Sequence, residues 1–240
     1  MYVVNCATIP QSIHGFLLTD MRRTKEDAQQ TREALLDAAE LLFAQRGVSR
    51  TSLQDIAKAA GMTRGAVYWH FKDKSELFNA MMERTASPME ESLQALAHTE
   101  QSPLAELRRS AHDALHRIAH DPRTRRVFDI AHQKVEYVDD LLGIRDHHQD
   151  IHRSCQQHLL TALSKAQAQG ELPEALDIRI ATLSYQAMLN GLIHEWLLTP
   201  DSFDLVETGL KCIDLFFAGW RQAGATTPSV ASSSPPSASR

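Results

Sequence analysis

Apolar residues recur along this chain with the spacing of α-helices rather than the alternation of β-strands. Leu35, Ala38, Ala39, Leu42 and Phe43 fall on one side of a helix. Prolines 103, 122, 173 and 200 each stand near the start of a new periodic segment, where a helix tolerates proline. The pattern predicts nine helices and no strand, at 24–46, 52–60, 63–70, 74–97, 103–120, 122–137, 144–169, 177–198 and 202–221.

The two ends of the chain lack this periodicity. Pro10 and Gly15 should interrupt any helix in residues 1–20, which we expect to be a poorly structured extension ahead of Met21, the more natural start. Residues 223–240 are rich in Ala, Ser, Thr and Pro and are expected to be disordered. We predict that the all-α part between the two ends forms two domains, residues 21–73 and residues 74–222.

Charge is distributed unevenly along the 240 residues. The net charge is −5, yet residues 21–74 carry ten Lys and Arg against seven Asp and Glu. A basic stretch on an acidic chain is a weak indication of an anionic partner at that stretch. No apolar run approaches the ~18 to 20 residues of a membrane span. The three cysteines lie far apart, which favours the cytoplasm over an oxidising compartment.

The strongest motif is a predicted helix-turn-helix at residues 51–71. Ala57 is small where two helices must approach closely, and Gly61 stands at the turn, where a positive φ is often needed. A capping box can start the first helix, either Thr51 with Gln54 or Ser52 with Asp55. Thr63 is a natural N-cap for the second helix, residues 63–70.

The second helix of this motif is a candidate for reading DNA in the major groove. Arg64 could make a bidentate contact to guanine, and Gly65 would let the backbone approach the duplex. Phosphate contacts are expected from Tyr68, His70 and Lys74, and from Arg22, Arg23 and Lys25 on a flexible arm. The complete DNA-binding set predicted is Arg22, Lys25, Thr51, Ser52, Thr63, Arg64, Gly65, Tyr68, Trp69, His70 and Lys74.

A purely structural interpretation of this motif remains open. Many three-helix cores contain a small residue and a glycine at a turn without binding nucleic acid. Taken singly, Trp69 and Phe71 are more typical of core residues than of DNA contacts.

Residues 31–78 resemble the TetR family of bacterial transcriptional repressors. The resemblance rests on Thr-Arg-Glu-Ala-Leu-Leu-Asp-Ala-Ala at 31–39 and on Thr-Arg-Gly-Ala-Val-Tyr-Trp-His-Phe-Lys-Asp-Lys-Ser-Glu-Leu-Phe at 63–78. The form Tyr-Trp-His-Phe-Lys-Asp-Lys is most similar to the AcrR and TtgR branch, which represses multidrug efflux pump operons. Weaker similarity continues in Arg123-Thr-Arg-Arg, in His132-Gln-Lys and in residues 190–202.

The resemblance implies a homodimeric, nine-helix, TetR-like repressor. Its first three helices would bind a palindromic operator, with Lys74 opening the connecting helix beside the phosphates. Its C-terminal bundle would bind a hydrophobic, drug-like effector. By position within the family, the residues that would line the effector pocket are Phe128, His132, Asn190 and His194.

Helices 177–198 and 202–221 are the predicted dimer interface. The first is apolar nearly all round, so it should be buried on more than one face. The second carries one apolar stripe, and an unpartnered face of that size would be an exposed patch. The alternative is an internal core. Asn190 and His194 share one face of the first helix, either as a satisfied core pair or as polar anchors for a ligand.

Histidines offer a competing interpretation. His112, His116 and His120 recur every four residues along one helix face, so a metal-binding helical enzyme or metal sensor is the alternative function. No cysteine ligands join them, His194-Glu195 does not continue to HExxH, and no GxSxG or nucleotide-binding glycine loop is found. We therefore predict a repressor, with no cofactor, no resident metal and no enzymatic activity. An activator or architectural DNA-binding protein without a small ligand is a third possibility.

Overall fold

The computed structural model describes residues 11–96, 101–136, 142–200 and 202–223, with side chains from Lys25 onward except that of Leu142. This part of the chain contains nine helices and no strand, so the all-α prediction is confirmed. The helices are α1 (Gln11–Arg46), α2 (Leu53–Ala59), α3 (Arg64–His70), α4 (Lys74–Ala95), α5 (Pro103–His120), α6 (Pro122–Gln133), α7 (Leu142–Ala168), α8 (Ile178–Leu198) and α9 (Leu205–Gln222).

Side-chain caps begin several of these helices. The Ser102 hydroxyl accepts a hydrogen bond from the Ala105 amide, and Pro103 occupies the first turn of α5. Asp177 and Asp204 cap α8 and α9 in the same way. Pro88 lies inside α4, which continues through it.

The start of α1 differs from its prediction. The helix begins at Gln11 and runs through Gly15, so the expectation of poor structure is wrong for residues 11–20. A glycine inside a helix costs only about 1 kcal/mol relative to alanine, and Pro10 precedes the first helical residue. Arg22, Arg23 and Lys25 consequently lie in a helix rather than on a flexible arm. Residues 1–10 and the tail 224–240 lie outside the described residues.

The helices form two compact units. The first comprises Met1–Arg84 and Arg126–His147, and the second comprises Thr85–Arg125 and His148–Arg240. Helices α4, α6 and α7 each pass from one unit into the other. This division does not follow the boundary expected at residues 73 and 74, and the assignment of DNA binding and ligand binding to segments stays a prediction.

Each unit has its own apolar core. In the first unit α1 packs against α2 and α3, with Leu36, Phe43, Ile56 and Val67 fully buried. In the second unit α9 packs along α5 and α8. The core residues there include Leu107, Leu163, Tyr185, Ile213 and Phe217.

Helices α5 and α9 pack against each other at Gly209. A Cβ atom placed on Gly209 would lie 2.4 Å from Cδ1 of Leu115, which is itself fully buried. A larger residue at Gly209 would therefore force the Leu115 side chain to move. Nearby, the Arg108 guanidinium donates two hydrogen bonds, of 2.7 and 3.0 Å, to the Asp214 carboxylate on α9.

No helix among the described residues combines the length and the apolar character needed to span a membrane.

Candidate nucleic-acid interface and effector-binding residues

Two side-chain caps fix the short helices of the predicted helix-turn-helix. The Ser52 hydroxyl accepts from the Asp55 amide at 3.1 Å, and the Asp55 carboxylate accepts from the Ser52 amide at 3.0 Å. This reciprocal pair is the capping box that the sequence allowed, formed by Ser52 rather than Thr51. The Thr63 hydroxyl accepts from the Ala66 amide at 3.2 Å, as predicted. Hydrogen bonds from Ser52 hold the pKa of Asp55 below its usual value, because the ionised carboxylate is the form that accepts them.

The turn between α2 and α3 requires its glycine. Gly61 has φ = +70°, in the left-handed region that L side chains rarely adopt. The Met62 amide donates to the Ala57 carbonyl at 2.8 Å and closes the turn. Ala57 and Val67 are buried beneath it, so α3 is held against α1 and α2 by its inner face alone.

The outer face of α3 is open to solvent. Thr63, Arg64, Gly65, Tyr68 and Trp69 are all exposed. The Arg64 guanidinium lies 5.4 Å from the centre of the Tyr68 ring, close enough for a cation–π interaction. These side chains form a polar and aromatic surface that can contact base edges and phosphates.

The two aromatic residues at the end of α3 have opposite environments. Phe71 is buried, as expected of a core residue, whereas 72% of Trp69 is exposed. The interpretation of Trp69 as a core residue is therefore wrong. Its position on the helix turns it away from the side on which Val67 packs, and its ring meets the edge of His70 at a centroid distance of 4.5 Å.

His70 lies at the margin of this surface and is half-buried. Desolvation lowers the pKa of its imidazole, and the positive charge of Arg32 lowers it further. The neutral imidazole is thus favoured in the free protein. The negative charge of a DNA phosphate beside His70 would raise this pKa.

The remaining predicted DNA contacts are placed less favourably. Thr51 is buried and its hydroxyl donates to the Gly47 carbonyl at 2.9 Å, so its side chain does not reach the surface. The Lys74 ammonium donates to the Ser49 carbonyl at 3.1 Å, which uses one of its three protons. Ser52 and Lys25 are exposed. The side chain of Arg22 lies outside the described residues.

Two of the predicted effector-binding residues lie side by side on α6, in the first unit. The Phe128 and His132 rings are nearly parallel, with centroids 6.0 Å apart. Nδ1 of His132 lies 2.9 Å from the Phe128 carbonyl oxygen, so this nitrogen is engaged by its own helix. Both side chains are half-buried.

The other two predicted effector-binding residues, Asn190 and His194, lie one turn apart on α8, in the second unit. His194 is half-buried, but Asn190 is exposed, so the alternative that the two form a satisfied core pair is wrong. A helix that is apolar on all sides does not reveal from its sequence which side meets the core. The buried side of α8 runs through Ala181, Tyr185 and Trp196.

Sequence reasoning missed a set of buried polar atoms in the second unit. Nδ1 of His158, the hydroxyl of Tyr185 and Oε1 of Gln186 have no hydrogen-bond partner among the described residues. Burial raises the pKa of the Tyr185 hydroxyl well above its usual range, so it remains a donor. The signal available in the sequence was a tyrosine followed by a glutamine within a mainly apolar helix, each of which needs a partner once buried.

The α5 histidines stack along their helix. Ring centroids are 5.9 Å apart between His112 and His116, and 4.2 Å apart between His116 and His120. His112 and His116 lie along an open groove of about 430 Å³ between α4 and α5. Among the described residues, no group of three or more His, Cys, Asp or Glu side chains is arranged to hold a metal ion. The metal-based alternative therefore has no support.

A capped helix-turn-helix that turns a polar, aromatic helix face outward is the arrangement typical of a DNA-binding transcriptional regulator. Residues 35–81 match the family described as bacterial regulatory proteins, tetR family. Residues 102–220 match the C-terminal region of MAATS-type transcriptional repressors. The protein belongs to the TetR family, and the predicted resemblance is confirmed.

Individual relatives agree with this assignment. The HTH-type transcriptional regulator TtgR of Pseudomonas putida is 40% identical over 203 residues, which cover 81% of this chain and 97% of the relative. Its description and the family matches are those of regulators, so the prediction that this chain is not an enzyme is confirmed.

Solved structures of two repressors are also similar. NalD of Pseudomonas aeruginosa, the secondary repressor of the MexAB-OprM multidrug efflux pump, is 32% identical with a TM-score of 0.73; the match covers 80% of this chain and 97% of NalD. The complex of SmeT with triclosan is 32% identical with a TM-score of 0.74, covering 87% of this chain and 100% of SmeT. SmeT is the repressor of the Stenotrophomonas maltophilia multidrug efflux pump SmeDEF.

Proposed function

We propose that this protein is a ligand-responsive repressor that binds a palindromic operator as a dimer, controls a multidrug efflux pump operon and is released by hydrophobic, drug-like effectors. The observation that carries the proposal is the exposed outer face of α3, held by two capped helices on a buried core. The regulators of efflux pumps among its relatives support the choice of target. The cytoplasm is the compartment in which we expect it to act.

A dimer is supported by apolar surface on α8 and α9. Ile180, Leu183 and Leu198 on α8 and Leu215 on α9 are all at least half exposed. Exposed small residues, including Gly191 and Gly219, accompany them and would let a partner helix approach closely. A dimer also suits a palindromic operator, because two recognition helices must reach half-sites about 34 Å apart.

We expect the effector to be an apolar, aromatic molecule. SmeT forms a complex with triclosan, a chlorinated aromatic phenol. In this chain the Phe128 and His132 pair, Asn190 and His194 remain our proposed contacts. The unpartnered buried polar atoms of His158, Tyr185 and Gln186 could receive polar groups of such a molecule.

The proposed mechanism is a two-state equilibrium. The effector binds the form in which α4 is shifted and the recognition helices no longer match two half-sites, and operator affinity falls. A coupling free energy of about 1–3 kcal/mol weakens DNA binding by about 5- to 150-fold.

The decisive test is a gel-shift titration on DNA from upstream of the protein's own gene, with and without triclosan. We expect a shift at a palindromic site and its loss on addition of triclosan. Failure to bind any palindrome in that region contradicts the proposal.

The dimer is tested separately by light scattering. Leu183→Glu places a charge on the proposed interface and should yield monomers that bind the operator weakly. Leu41→Glu is the matched control, because Leu41 is a similarly exposed leucine on α1. Equal masses for both variants and the wild type would contradict this interface.

A further inference from the structure

A single buried carboxylate on α1 is shared by two arginines from different helices. The Glu40 side chain is 3% exposed. Its Oε2 accepts from Arg84 of α4 at 3.2 Å, and its Oε1 accepts from Arg126 of α6 at 2.8 Å. Each oxygen of one carboxylate therefore attaches a different helix to α1.

Arg84 also binds two further carboxylates on the same side of α1. Its Nη1 lies 2.8 Å from Glu33 and 3.0 Å from Asp37. These residues precede Glu40 by seven and three positions and so share its helix face. They are more exposed than Glu40, with 40% and 58% of their side chains open to solvent against 3% for Glu40.

The two arginines occupy particular places in their helices. Arg84 is the last residue of α4 within the first unit, and Arg126 is the first residue of α6 within it. Both helices continue from these residues into the second unit. Helix α7 also continues into the second unit. Its contact with α4 is longer: Nε2 of His147 lies 3.6 Å from the carboxylate of Glu83, the residue before Arg84.

Stability alone does not account for such a cluster. A buried ion pair gains little over apolar packing of the same volume, because both charges lose their hydration. Separating one partner, in contrast, leaves a buried charge without compensation. The cluster therefore favours one defined arrangement of α1, α4 and α6 over intermediate ones. A two-state element that connects two sites needs such a penalty against intermediate arrangements.

We propose that Glu40, Arg84 and Arg126 transmit effector binding to the DNA-binding helices, with Glu40 as the positioning residue. This inference rests on the proposed function. A shift of α4 or α6 displaces Arg84 or Arg126, and the shared carboxylate moves α1, on which α2 and α3 pack. Glu33 and Asp37 hold Arg84 near the surface and contribute less.

The main experiment compares operator affinity with and without triclosan, by fluorescence anisotropy, in four proteins. The wild type should lose affinity by a factor of about 5 to 150 on adding triclosan. Glu40→Gln and Arg126→Gln should reduce that factor at least threefold. Asp37→Asn removes the same charge from the same helix face and should leave the factor within twofold of wild type. Triclosan affinity without DNA should change less than twofold in all of them.

Two additions keep the test decisive. If Glu40→Gln does not fold, Arg126→Gln still tests the linkage. This variant leaves Glu40 paired with Arg84, so the buried carboxylate keeps one partner. Hydrogen exchange supplies a readout without effector: operator binding should slow exchange in residues 80–90 of α4 in the wild type and in Asp37→Asn, but not in Glu40→Gln.

Failure of the inference and failure of the proposed function give different results. A wild type that responds to triclosan, with Glu40→Gln and Arg126→Gln responding equally, overturns the linkage and leaves the repressor intact. A wild type whose DNA binding ignores triclosan contradicts the proposed effector class, and the hydrogen-exchange comparison then decides the linkage by itself.

Discussion

Replacing Arg64 by alanine tests whether α3 reads bases. The side chain is exposed, and its guanidinium lies 5.4 Å from the centre of the Tyr68 ring. An exposed cation–π pair contributes about 0.5–1 kcal/mol, so Arg64→Ala should change the free energy of unfolding by no more than that. Any larger loss in DNA binding then reflects DNA contacts.

The expected loss follows from the contact and the symmetry. A bidentate arginine–guanine contact discriminates against the wrong base by about 1–3 kcal/mol. Two half-sites double this to about 2–6 kcal/mol, which corresponds to about 30-fold to about 10⁴-fold in operator affinity. Arg64→Lys keeps the charge but loses the planar fork, so most of the loss should remain.

The assay is an anisotropy titration against the operator, a set of single-base substitutions and an unrelated duplex. Arg64→Ala should lose discrimination at the base pair that Arg64 reads, keep the wild-type preference at the other positions, and keep the salt dependence of the wild type. Lys25→Ala, an exposed lysine expected at the phosphates, is the control and should weaken every duplex alike. If Arg64→Ala also weakens all duplexes equally, its role in base reading is refuted.

Three further outcomes are expected from the structure. Lys74→Ala should weaken binding to all DNA and reduce the slope of log affinity against log salt by about one, as measured by titrations at several salt concentrations. Burial depresses the pKa of His70 below 6.5, so its neutral form stabilises the fold above that pH. This contribution is lost as the pH falls through the lowered pKa. The melting temperature of His70→Gln should therefore fall less on acidification than that of the wild type. Gly209→Ala should destabilise by about 1–3 kcal/mol in denaturant unfolding, because its methyl group meets Leu115. Gly65→Ala should keep its stability but weaken operator binding, because the nearest atom to its new Cβ would lie 3.8 Å away. Equal stability losses for Gly209→Ala and Gly65→Ala would contradict the argument that α5 and α9 leave no room at Gly209.

The parts of the fold that were predictable depend on interactions within a few residues. The helix-turn-helix boundaries were placed to within one residue at each end because Ser52, Thr63 and Gly61 indicate caps and a turn locally. The start of α1 is harder to predict, because a glycine such as Gly15 breaks a short helix but costs little inside a long one.

What could not be predicted depends on distant pairings. The residues that hold α4 and α6 to α1 are 44 and 86 positions from Glu40, and no local pattern connects them. Similarly, the apolar character of α8 indicated burial without indicating which side packs, so the exposure of Asn190 became apparent only from the fold.

Helices α2 and α3 have seven residues each, whereas isolated helices shorter than about 12–15 residues are marginal in water. These two helices consequently depend on the inner face of α1 for their structure. Derepression should therefore arise from substitutions at positions such as Leu36 and Phe43, which are fully buried in that core. Naturally derepressed strains should carry lesions scattered through this scaffold, and sequencing only the residues that face the operator would overlook them.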